Sequence, residues 1–165
     1  MTCIDLKEDD SMAASGSTDG TVKMTNVSSG KIVATLVCGR IPEAEGEEDS
    51  VESVKFCNSL PLLASATVKG IIEVWEISNY TRRCYVIHDL GVSTVQWDPL
   101  ETFKLFSAGL DGCVNHWDAR SGELLSRRYS HRDHILDMKV VTNESNERLI
   151  VTASEDSTCK VFRCE

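Results

Sequence analysis

An all-β fold of four sequential antiparallel sheets is predicted for this 165-residue chain. Three observations carry it. The stretch LFSAGLDGCVNHWDAR, residues 105–120, reads as an apolar strand, an Asp-Gly hairpin turn and a return strand; glycine accepts the positive φ that tight hairpins need. The same pattern recurs, with turn positions Gly20 (SGSTDGTVKMTN), Gly70 (SATVKGIIEVWE), Gly112 (SAGLDGCVNHWD) and Ser157 (TASEDSTCKVFR), at intervals of 50, 42 and 45 residues. Each turn is flanked by further strand-like runs. A period of roughly 40 to 45 residues with four short strands per unit is the signature of a β-propeller, because an isolated hairpin is marginal in water and must bury its faces on neighbours.

The elements follow in order. Upstream strands are predicted at residues 3–6, 51–56, 92–97 and 135–141. Downstream strands are predicted at 31–37, 82–87 and 123–129, and the fourth unit has none before Glu165. Repeats therefore run approximately 1–40, 50–87, 88–130 and 131–165, with an acidic inter-blade loop at 42–50. Five residues after each turn position stand Thr25, Trp75, Trp117 and Phe162, the large ones expected in the core. Trp97 is read as a core contact between blades.

Composition bounds the function. The chain is 41% hydrophobic and 26% charged, as globular proteins are. No apolar run approaches the roughly 20 residues of a membrane helix, and MTCIDLKEDD resembles no signal peptide, so a cytoplasmic protein without membrane insertion is expected. Its seven cysteines are then reduced thiols, and Cys3, Cys57, Cys113 and Cys159 are expected to fill core. Net charge is −9, which argues against nucleic-acid binding through a basic surface and fits a partner with excess positive charge.

GxxDG…WD with this spacing resembles the WD40 repeat family. Trp117-Asp118 is an intact pair and Trp75-Glu76 a near match. The resemblance implies a buried tetrad in each repeat: a His ahead of the first strand, a Ser or Thr two residues before the turn Asp, that Asp, and the Trp. On this pattern the third unit holds His88, Asp111 and Trp117, with Gly109 at the Ser position. The fourth holds His131, Ser154 and Asp156, with Phe162 for Trp. The second keeps Thr67 and Trp75, with Glu47 at the His position and Lys69 for Asp. The first keeps Ser17 and Asp19. The acidic insert, SVESVKFC, WDARSG and the terminal KVF together resemble the C-terminal half of the angio-associated migratory cell protein family. That resemblance implies a non-catalytic interaction scaffold linked to cell migration, and related fungal proteins escort a basic ribosomal protein. It also implies a partial propeller with further blades upstream. The outer faces of its first and last blades should be apolar, and the fragment alone should self-associate.

Other constellations are weighed against plainer roles. Ser154, His131 and Asp156 are the residue types of a hydrolase triad, but a structural tetrad uses the same types, and a nucleophile motif such as GxSxG is absent. His131 and His134 lack a third ligand at matching spacing, so no metal site is expected, and no cofactor. Glu43, Glu45, Glu47, Glu48 and Asp49 form an acidic run read as a solvated loop and a candidate contact for a basic partner. Trp117-Asp118-Ala119-Arg120 resembles the WDxR box of ubiquitin-ligase substrate receptors, in which Arg120 would meet the ligase adaptor; the local alternative pairs Arg120 with Asp118.

Overall fold

The computed structural model describes residues 1–40 and 49–163. Among them there are fifteen strands in four antiparallel sheets. Blade one is β1 (Cys3–Leu6), β2 (Met12–Gly16), β3 (Thr21–Asn26) and β4 (Ile32–Val37). Blade two is β5 (Val51–Phe56), β6 (Leu62–Thr67), β7 (Ile71–Glu76) and β8 (Thr81–Ile87). Blade three is β9 (Val92–Trp97), β10 (Lys104–Gly109), β11 (Cys113–Asp118) and β12 (Glu123–Tyr129). Blade four is β13 (Ile135–Thr142), β14 (Arg148–Ser154) and β15 (Cys159–Arg163). Within each blade the strands pair in sequence order.

The turns explain the recurrence. Gly20, Gly70, Gly112 and Ser157 all lie at positive φ, between 66° and 91°. A side chain at Gly70 would meet the His88 and Leu90 carbonyls at 2.6 Å, and one at Gly112 the His131 carbonyl at 2.6 Å. Glycine is thus required twice over, by backbone conformation and by the approach of the following loop. The contact is reciprocal: the backbone N–H groups of Cys38, His88 and His131 donate to the carbonyls of Gly20, Gly70 and Gly112.

The central strands β6, β7, β10 and β11 are buried on both faces, as expected where a sheet is covered on both sides. Ala14, Val22, Met24 and Leu36 pack on Val51, Val54, Leu63 and Trp75 between blades one and two. Ala64, Ile72 and Val86 meet Val95, Leu105 and Trp117 between two and three. Phe106, Ala108 and Val114 meet Ile135, Met138 and Ile150 between three and four. Hydrogen bonds stitch the inner strands across the blades: Ser53 Oγ accepts from Val95 N, Trp97 Nε1 donates to the Lys55 carbonyl, and Ser93 Oγ donates to the Ile135 carbonyl. Trp97 therefore does bridge two blades. An ion cluster adds a second tie between blades three and four, with Arg148 on Asp98 and Glu101 at 2.9 and 2.7 Å.

The outer faces are unequal. In blade one, Ala13, Ser15, Lys23 and Thr25 lie on the face away from blade two, and exposed Ile4, Leu6 and Val37 surround this polar centre. In blade four, the corresponding face carries Leu149, Val151, Ala153 and Val161, and Val161 is 62% exposed. The apolar expectation thus holds for blade four but only for the margin of blade one. Among the cysteines, Cys57 and Cys113 are buried and Cys3 is half-buried. Cys159 is exposed rather than in the core, because it lies on that uncovered face. All six described cysteines are free. No described helix is long and apolar enough to cross a membrane.

Candidate functional site

Two kinds of residue were singled out by the sequence: the buried polar tetrads and the surface groups near them. In blade three the tetrad is complete. His88 Nε2 lies 3.1 Å from Asp111 Oδ2, Ser107 Oγ lies 3.4 Å from His88 Nδ1, and Trp117 Nε1 donates to Ser107 Oγ at 2.8 Å. The directions close one way: the indole donates to the hydroxyl, the hydroxyl to Nδ1, and Nε2–H to the carboxylate. Burial opposes ionisation of Asp111, but His88 and the Cys113 N–H hydrogen-bond to it, and its carboxyl falls to about 2. Arg127 adds an ion pair to Asp111 at 2.7 Å. His88 and Ser107 are 1% and 0% exposed, where an unpaired polar group would be costly.

Ser107, not Gly109, fills the hydroxyl position, and the same displacement recurs. In blade four His131 bonds Asp156 at 2.9 Å and Thr152 at 2.7 Å. Ser154 instead donates to the Asp133 carbonyl and accepts from Asp156 N. In blade two Trp75 donates to Ser65 at 2.9 Å, while Thr67 accepts from Ile71 N. Thr67 and Ser154 therefore hold the turns, and Ser65 and Thr152 hold the network. Ser154 makes no hydrogen bond to His131, so the three triad residue types do not assemble a nucleophile–base pair. Phe162 stands opposite Ile150 as Trp117 stands opposite Leu105.

Blade two departs furthest. Among the described residues its His position is filled by Cys38, which makes the same backbone bond as His88 and His131 and whose Sγ lies 3.4 Å from Ser65 Oγ; Glu47, expected there from the sequence, lies outside the described residues. Burial first, then the nearby Glu73 carboxylate, pushes the Cys38 thiol well above its ordinary range. Glu73 is itself fully buried, accepting from Gly39 N at 3.1 Å and from Arg82 at 2.7 Å.

The partner-contact candidates divide. Glu43, Glu45, Glu47 and Glu48 lie outside the described residues. Asp49 is not a solvated loop residue: it is 2% exposed and accepts a hydrogen bond from Lys69 N at 3.1 Å. Its side chain lies against Gly39, where any larger residue would collide with it. Arg120 is held locally, over the Phe103 ring at 5.1 Å and 3.5 Å from Asp118; Asp118 also takes Lys104 at 2.8 Å. Asp133, His134 and Glu155 converge at the surface, with His134 Nδ1 3.3 Å from Glu155. Two carboxylates thus approach His134, which sequence spacing did not anticipate because Glu155 comes from the next turn.

The comparisons with known proteins agree with this geometry. The family described as WD domain, G-beta repeat, matches residues 1–26, 80–118 and 122–163. The chain is 33% identical over 98% of its length to the human angio-associated migratory cell protein, and 30% identical over 99% to an uncharacterized WD repeat-containing protein of Schizosaccharomyces pombe. It spans 38% of the length of each. It is 28% identical over 72% of its length to the histone-binding protein MSI1 of Saccharomyces cerevisiae. The crystal structure of Saccharomyces cerevisiae Sqt1 superposes with a TM-score of 0.84 at 21% identity, covering 98% of this chain and 45% of that one. Repeats of this kind build protein-interaction scaffolds. The family match covers most of the chain and the sheets stack as propeller blades do: the chain belongs to the WD40 repeat family.

Proposed function

We propose that the chain acts as a non-catalytic, cytoplasmic interaction scaffold whose partner is a basic protein. The observation that carries this reading is the net charge of −9 on a family scaffold of rigid blades. Four of the excess carboxylates, Glu43, Glu45, Glu47 and Glu48, are concentrated in one inserted segment. Rigid blades keep the entropic cost of binding low, and a concentrated negative field accelerates encounter with a cationic partner. The name of the histone-binding relative supports a cationic protein as the class of partner. The resemblance to the angio-associated migratory cell protein family supports a link to cell migration or the escort of a basic ribosomal protein.

The experiment is affinity capture from cytosol at low salt, followed by association kinetics with the captured protein over a salt series. Replacing the four glutamates by Gln should lower the association rate and flatten its salt dependence. Capture of neutral or acidic proteins alone, or rates unmoved at low salt, would sink the proposal.

A further inference from the structure

The three inter-blade interfaces can be compared position by position, since the strand registers are equivalent. In the first, Leu36 of β4, opposite Val22, packs in one cluster with Trp75. In the second, Val86 of β8, opposite Ile72, packs with Trp117. In the third, the equivalent of the aliphatic residue is Arg128, opposite Val114, and that of the tryptophan is Phe162. Both partners of one contact have changed, and they still face each other: the Arg128 guanidinium lies over the Phe162 ring at 4.7 Å. Phe106 stands where blades one and two carry Ala14 and Ala64, and it takes up part of the volume that the indole leaves. A cleft of about 240 Å³ remains.

We propose that this cleft between blades three and four is a binding site for an aromatic anion carried on a peptide chain. Phe106, Val114, Ile150 and Phe162 supply the apolar part of its lining, and Arg128 and Arg163 belong to the larger polar part. Arg163 also reaches Glu147 at 3.3 Å. Arg128 is exposed and pairs with no carboxylate among the described residues, so its charge is available to a ligand. A ring enters the space that Trp75 and Trp117 fill elsewhere, and an acidic group beside it meets a guanidinium already oriented by the phenyl face. The anion is either a carboxylate next to an aromatic residue or the phosphate of a phosphotyrosine. The site is independent of any contact through the acidic segment.

The test is a methyl NMR titration of the chain with phenylacetate, phenyl phosphate and benzyl alcohol, followed by acetylated Asp-Phe-Asp and Gly-phosphotyrosine-Gly peptides. The two small anions should shift the Val114 and Ile150 methyls and half-saturate at about 1 mM, as suits ligands of some ten heavy atoms. Arg128→Gln should weaken both at least about tenfold without changing benzyl alcohol. Phe162→Trp should fill the cleft and abolish all shifts while leaving the thermal midpoint equal or higher. The peptide that binds more tightly identifies the source of the anion. The proposal is overturned if no probe shifts these methyls by roughly 20 mM, if benzyl alcohol binds as well as the anions, or if anion binding survives both substitutions.

Discussion

Cys38 stands to Ser65 as His88 stands to Ser107. Each approaches the hydroxyl at 3.4 Å, and each is anchored by its backbone N–H to the turn glycine of the preceding blade. One network ends in a carboxylate reached through an imidazole, the other in a thiol beside a buried Glu73. The thiol supplies a weaker hydrogen bond and no relay, so the two blades should respond differently to the same substitution.

Removal of the hydroxyls exposes this difference. Ser107→Ala leaves the Trp117 N–H and the His88 Nδ1 without partners and should cost about 1–3 kcal/mol. Ser65→Ala should cost less, because a thiol tolerates the loss of a partner better than an imidazole. Urea denaturation at neutral pH compares them, and equal losses would contradict the ranking.

Trp117→Ala should be the costlier change. The residue is 6% exposed and joins two blades, so about 3–5 kcal/mol is expected from lost burial and the cavity left behind. A thermal melt with an unchanged midpoint would refute the assignment.

Acid should weaken the fold through Asp111. Its carboxyl lies at about 2 when folded, against an ordinary 3.8. The unfolded chain therefore binds the proton more readily, and the contribution is complete above about pH 4 and lost as pH falls toward 2. Asp111→Asn should flatten that limb of a plot of urea midpoint against pH. A mutant curve parallel to the wild type would show that Asp111 is not responsible.

The Cys38 thiol is buried and shifted upward. It should resist alkylation near pH 8 in the native state, whereas exposed Cys159 should react first. Mass spectrometry of briefly labelled protein reads the order directly. The sign for stability is also set. Folding disfavours the Cys38 thiolate, so its contribution is complete below the ordinary thiol pKa of 9.0 and declines as pH rises beyond it.

The face of blade four carrying Val151 and Val161 should drive association of these 165 residues in solution. Light scattering after size exclusion should show species larger than one chain, and Val161→Lys should reduce them. Uniform monomer in the wild type would remove the basis for the prediction.

Much of this fold was legible in the sequence, because one conformational requirement, positive φ at the hairpin turn, repeats at Gly20, Gly70, Gly112 and even Ser157. From that ruler the inner strands of residues 3–6, 51–56 and 92–97 follow directly. The hydroxyls were misplaced by two residues for a definite reason. Positions two apart in a strand share a face, so alternation cannot choose Ser107 over Gly109, or Thr152 over Ser154. Cys38 was missed because counting back from Val51 crosses the inserted residues, whereas the preceding strand leads into it. The Asp133–His134–Glu155 cluster was invisible because it joins residues across a loop and a turn.

The backbone bonds flanking the insertion have a practical consequence. Cys38 N donates to the Gly20 carbonyl at 2.8 Å, and Val51 N to the Ser17 carbonyl at 3.1 Å. Both ends of the connection are thus clamped to the same turn of blade one, whatever lies between them. Once the ends of a connection are held, doubling its length costs only about 0.6 kcal/mol. Residues 41–48 are accordingly a permissive locus for engineering. A fluorescent reporter or an affinity epitope spliced there would be carried at a defined point between two blades, with the strand pairings on either side left as they are.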